Sequence, residues 1–195
     1  MIRLLPVVEG DGDLTAVPEL IRRVLHDQSR FDVKVCKPHK RGDLPTILGR
    51  FDNFYRTALL ERAVILWVID YDCATCDDPV RDLRMLKKKA AAVDASTAIE
   101  FVFMVKEYES LFLADHETTR KVFTDISPAL EFPPNLESVR GAKEWLSKAR
   151  PKGSSYKPTQ HQQRLTAQLD LNRLRARSPS FQNFESALCR LIKSS

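Results

Sequence analysis

Ala63-Val-Ile-Leu-Trp-Val-Ile-Asp-Tyr-Asp72 is the most telling stretch of the sequence. Seven apolar residues rich in β-branched side chains run without polar alternation and stop at two acids. That pattern belongs to a strand buried on both faces, as in a parallel sheet covered by helices on each side. The segments on either side fit the same plan. Upstream, Ile2–Val8 is a second apolar run, ended by the turn-forming Glu9-Gly-Asp-Gly-Asp13. A helix follows, with Val17, Leu20, Ile21, Val24 and Leu25 on the 3.6-residue period and Pro18 expected in its first turn, where a missing N–H costs nothing. Phe31–Cys36 reads as a strand, Leu48–Arg62 as a helix, Asp78–Val93 as a helix with Pro79 at its first position, and Ala98–Val105 as a fourth strand.

The order β-α-β-α-β-α-β predicts an α/β fold: a mainly parallel, four-stranded, Rossmann-like sheet with right-handed crossovers and flanking helices. After Asp115 the signal changes. Pro128, Pro133, Pro134, Pro151 and Pro158 break the remainder into short helices and loops, with Gln162–Leu171 and Phe181–Ile192 the clearest helices. The expected organisation is an α/β domain over 1–115 and a basic, mostly helical extension over 116–195, packed on it.

Composition narrows the class. With 43% hydrophobic and 29% charged residues in 195, the chain is globular rather than disordered. Its apolar runs fall short of the ~20 residues of a membrane helix, and no basic-then-apolar leader opens it, so the expectation is a soluble, cytoplasmic protein with no membrane association. The four scattered cysteines suggest reduced thiols; Cys73-x-x-Cys76 has the spacing of half a zinc site, but no second pair completes the set. The net charge of +5 is uneven: residues 141–195 carry 11 Lys and Arg against 3 Asp and Glu, while the rest carries 20 against 23. A basic tail on an acidic body points to an anionic partner such as nucleic acid.

In parallel α/β sheets the ligand site lies beyond the carboxyl ends of the strands. There the first strand delivers Glu9, with Asp11 and Asp13 behind it, the third delivers Asp70 and Asp72, and the fourth delivers Glu107 and Glu109. Gathered carboxylates raise one another's pKa unless a cation neutralises them, and hard oxygen donors without His or Cys favour Mg²⁺ or Mn²⁺ over zinc. Each piece also has a plainer reading: Asp13 or Thr15 as a helix cap, Glu107 and Glu109 as acids favouring a helix start. No Gly-x-x-x-x-Gly-Lys-Ser/Thr sequence accompanies the strand, so it is not part of a P-loop nucleoside triphosphatase.

Val7-Val-Glu-Gly-Asp-Gly-Asp13 and Val68-Ile-Asp-Tyr-Asp72 together resemble the two motifs of the Toprim fold, with Asp13 placed as in its OLD-type nucleases. The nearer resemblance is to small Toprim-like proteins often encoded beside ATPases, in which Glu107–Asp115, Tyr156-Lys157 and Ser178-Pro-Ser-Phe181 look like further shared patches. The resemblance implies a Mg²⁺- or Mn²⁺-dependent nuclease, working with an ATPase partner and connected with phage defence. It makes Glu9 a general acid/base or metal ligand, Asp70 and Asp72 metal ligands, Asp13 a ligand of a second ion, Glu109 a support of the cluster and a further metal-site residue, and Lys157 the late lysine near the scissile phosphate. The basic segment, Arg173, Arg175 and Arg177 included, would hold the backbone of the nucleic acid, DNA ahead of RNA. Two other classes stay open: a non-catalytic, metal-binding adaptor of an ATPase, and a receiver-like phosphoacceptor domain.

Overall fold

The computed structural model describes residues 1–73, 77–134 and 140–193. Strand β1 (Ile2–Val8) runs inside a wholly parallel sheet. On one side it pairs with β2 (Val33–Val35) and on the other with β4 (Val64–Tyr71), beyond which β5 (Ile99–Val105) forms the edge. The expected four strands are five, because the segment after β2 returns to β1 as β3 (His39–Lys40), opposite Val7 and Val8. Between the two, the Cys36 N–H still bonds Leu4 O at 2.7 Å. Pro38 supplies no donor at the next step, and the strand divides there.

The apolar run of β4 is explained by its two covered faces. Leu66 and Val68 pack with α1 (Asp13–Asp27) and the C-terminal helices; Ile65, Trp67 and Ile69 pack with α2 (Leu44–Leu59) and α3 (Pro79–Val93). Trp67 lies against Phe51 and Phe101 with ring centroids 5.5 and 5.9 Å apart, within the range of favourable aromatic pairs.

Two helix starts differ from the sequence reading. Helix α1 begins at Asp13, so Pro18 falls inside it rather than in its first turn and the Leu14 carbonyl loses its helical donor. Helix α2 begins at Leu44, four residues before the expected Leu48. Asp43 caps it, accepting the Thr46 N–H at 3.0 Å, with Pro45 behind.

Past β5 come α4 (Ser110–Ala114), α5 (His116–Val122), α6 (Ala142–Lys148), α7 (Pro158–Thr166), α8 (Leu171–Arg177) and α9 (Pro179–Lys193). Asp170 ends the expected Gln162–Leu171 helix early by capping the next one, its carboxylate accepting the N–H groups of Asn172 and Arg173. These helices have no separate core: Leu165, Leu174, Phe181, Phe184 and Leu188 pack with Leu4, Leu66 and Val102 of the sheet. Helix α7 lies along α1, and Arg23 of α1 donates to the carbonyls of Thr166 and Leu169 at its end. No described helix is long and apolar enough to cross a membrane. Cys73 is disulfide-bonded, against the expectation of reduced thiols, whereas Cys36 and Cys189 are free; Cys76 lies outside the described residues.

Candidate functional site

The chain leaves β1 through α1 on one face of the sheet and leaves β4 through α3 on the other, in opposite directions. The crevice beyond the carboxyl ends of β1 and β4 is therefore the switch point at which such sheets place ligands. Val8 stands opposite Val68, so Glu9 and Asp70 leave neighbouring strands at the same edge. Asp70 in turn stands opposite Met104 of β5, two residues before the backbone turns at Lys106 (φ +67°) to bring in Glu107 and Glu109.

The side chains of Asp13, Asp70, Glu107 and Glu109 are held by named partners. Asp13, at the start of α1, accepts the Gly10 N–H at 2.8 Å and the Gln162 amide of α7 at 2.6 Å. Asp70 Oδ1 accepts the Tyr108 N–H at 2.8 Å. Glu109, completely buried, accepts the Tyr156 hydroxyl at 3.0 Å on Oε1. Glu107 Oε2 accepts the Lys143 N–H at 3.1 Å. Asp72 is half-buried, and its carbonyl accepts from the Arg140 guanidinium at 2.6 Å. Among the described acids of this edge, Glu9 Oε2 and Glu109 Oε2 are buried without a hydrogen bond, the latter with the Lys143 ammonium 3.6 Å away. Orphaned acceptors of this kind suit a cation.

Burial dominates the electrostatics. It pushes Glu9 up to about 7, with the Asp13 charge adding and Lys143 opposing. Burial likewise raises Glu109 to about 7 and lifts Asp70 well above its ordinary value, again with Lys143 opposing and Asp13 adding. Asp13 is raised by burial against the bonds from Gly10 and Gln162.

Lys143, in the first turn of α6, carries the cation that answers these charges. Its Nζ lies 3.4 Å from Asp70 Oδ2 and 3.6 Å from Glu109 Oε2. Burial alone would depress this ammonium, but Glu109 and Asp70 more than offset it and its pKa is raised. As the side chains stand, no three His, Cys, Asp or Glu among the described residues are drawn together tightly enough to share one ion.

Lys157 is exposed at the start of α7, its N–H donating to His161 Nδ1 at 2.8 Å. Arg173, Arg175 and Arg177 are each engaged within the molecule: with Asp115 and Asp170, with Glu185 and Asp27, and with Glu117 respectively. These three arginines thus fasten α8 to α1, α5 and α9. Sequence reasoning missed Lys143 and Gln162, whose partners lie 73 and 149 residues away. The one local signal was Gly12, where a Cβ would come 1.9 Å from Gln162 Oε1 and 2.7 Å from Pro158 Cβ. Its glycine admits α7 to the site.

A family model described as "Domain of unknown function (DUF4276)" matches residues 8–189. The C-terminal region of the Burkholderia pseudomallei OLD protein is similar over 100% of this chain and 98% of its own, at 16% identity and a TM-score of 0.44. The corresponding region of the Xanthomonas campestris pv. campestris OLD protein covers 97% and 98%, at 12% identity and a TM-score of 0.41. No curated protein matches the chain. The family match spans most of the sequence, and the chain belongs to that family.

Proposed function

We propose that this DUF4276 protein is a Mg²⁺- or Mn²⁺-dependent phosphodiesterase of the Toprim class, acting on nucleic acid and on DNA in particular. The observation that carries the reading is the set of buried carboxylates at the switch point, two of whose oxygens, Glu9 Oε2 and Glu109 Oε2, have no hydrogen-bond donor. The donors present are all hard oxygens, which fits these ions. Glu9, Asp13, Asp70, Asp72 and Glu109 would hold the metal, which when bound supplies Lewis-acid activation of water and stabilisation of the leaving oxygen.

The chain's own residues do the rest. Glu9, raised by burial to about 7 in the metal-free protein, is held in its carboxylate form once an ion is bound, and is assigned to take a proton from the attacking water and pass it to the leaving oxygen. Tyr108, through its N–H, and Tyr156, through its hydroxyl, fix Asp70 and Glu109, and Gln162 fixes Asp13. Lys157, exposed beside α7, is assigned to a substrate phosphate, and an ATPase partner and a setting in phage defence complete the proposal.

The test is cleavage of supercoiled plasmid and of labelled DNA and RNA oligonucleotides by purified protein. Cleavage in Mn²⁺ or Mg²⁺, abolished by chelator and by Asp70→Asn, is expected. Protein that binds the ion yet cuts none of these, alone or with co-expressed ATPase, would refute nuclease activity and leave a binding subunit.

A further inference from the structure

We propose that Lys143 is a tethered counter-cation that keeps the acidic crevice assembled without metal and must be displaced from Asp70 and Glu109 when a divalent ion enters. The inference rests on the metal-site reading above and adds to it what sets the affinity of that site.

Three observations support it. The Lys143 ammonium is shared between two acids from different elements, Asp70 at the end of β4 and Glu109 beyond β5, at 3.4 and 3.6 Å. It approaches one of the same oxygens, Glu109 Oε2, that lacks any hydrogen-bond donor, so an entering ion and the ammonium want the same atom. The side chain is still 37% exposed, so the ammonium can leave for water without unpacking α6, while Asp70 and Glu109 are 8% and 0% exposed and cannot follow it.

A full positive charge within about 4 Å of a divalent ion is strongly repelled in a part-buried crevice. Ammonium and ion therefore exclude one another. Lys143 in place weakens metal binding, and metal in place frees Lys143. Three of the acids keep ties of their own, Asp13 to Gly10 and Gln162, Asp70 to Tyr108, and Glu109 to Tyr156. The crevice thus keeps its acids near position during the exchange.

Two measurements test this without reference to cleavage. Mn²⁺ binding is titrated calorimetrically at pH 8 on wild type, Lys143→Met and the charge-conserving Lys143→Arg. Lys143→Met should bind about ten-fold more tightly or better, by relief of the repulsion, and Lys143→Arg should stay close to wild type. On wild-type protein, amine acetylation read by mass spectrometry should modify Lys143 several-fold faster with saturating Mn²⁺ than with chelator, while exposed Lys157 keeps its rate. Equal Mn²⁺ affinity in wild type and Lys143→Met, or Lys143 labelling that stays level or falls in Mn²⁺, overturns the inference and leaves the metal site standing. Absence of Mn²⁺ binding in all three proteins overturns both. If Lys143→Met does not fold, the labelling experiment decides alone.

Discussion

Glu9→Gln should stabilise the metal-free protein at alkaline pH while destroying the site. Burial raises the Glu9 pKa from 4.5 to about 7 in the folded chain. A carboxyl whose folded pKa lies above its unfolded value favours the native state only while protonated. Its cost is absent below about pH 4.5, grows as pH climbs, and is complete above about pH 7. A shift of that size corresponds to about 3 kcal/mol at full weight. Glu9 is only part-buried, so screening reduces this to about 1–2 kcal/mol. The amide keeps the shape and removes the charge, so urea unfolding at pH 8 should show Glu9→Gln more stable by that amount, or about 3–6 °C higher in Tm. At pH 4 the two proteins should coincide. Saturating Mg²⁺ should reverse the order at pH 8, since an ion at one hundred times its Kd adds about 2.7 kcal/mol to the wild type alone. A variant gain that is equal at pH 4 and pH 8, or no gain at pH 8, would refute the argument that buried charge is held there at a cost.

Gly12→Ala should cost about 1–3 kcal/mol by overpacking, because the added methyl meets Gln162 and Pro158; thermal melts give the loss, and Gly12→Ala with Gln162→Ala should recover only part of it, Pro158 remaining in the way. Arg173→Ala leaves completely buried Asp115 without its ion-pair partner and should destabilise by roughly 2–4 kcal/mol; a variant as stable as wild type in urea would show that arginine free for other work.

The strands and the two acidic motifs were legible in the sequence because their signals are short-range. An apolar run of seven, a Glu-Gly turn and an Asp-x-Asp pair can be read within ten residues, and the parallel topology then forces them to one edge. The helix starts were harder to read, since a cap such as Asp43-Leu-Pro-Thr46 competes with the hydrophobic period that begins later. Pro18 suggested a first turn that Gly12 and Asp13 had already begun. The positive tail was visible as composition, but composition does not say whether a charge faces solvent or an acid. Asp27, Asp115, Glu117, Asp170 and Glu185 answer Arg173, Arg175 and Arg177, and three of those five acids precede the tail.

Much of the crevice is supplied from beyond residue 140, where only the patch Tyr156-Lys157 was legible in the sequence. Tyr156, in the patch Tyr156-Lys157, reaches Glu109 through its hydroxyl; Gln162 reaches Asp13; and Lys143 reaches both Asp70 and Glu109. Gln162 and Lys143 carry no motif, because each is selected for a distance set by how α6 and α7 sit on α1 and the sheet. The strand ends concentrate negative charge at an edge that parallel topology has already desolvated, and that arrangement is unfavourable by itself. The extension supplies the compensating donors and one cation, and it is fastened by packing into the sheet's own core at Leu165, Phe181 and Leu188. Removing it would therefore expose apolar surface and strand buried carboxylates together, which makes residues 116–195 part of the site as much as part of the fold.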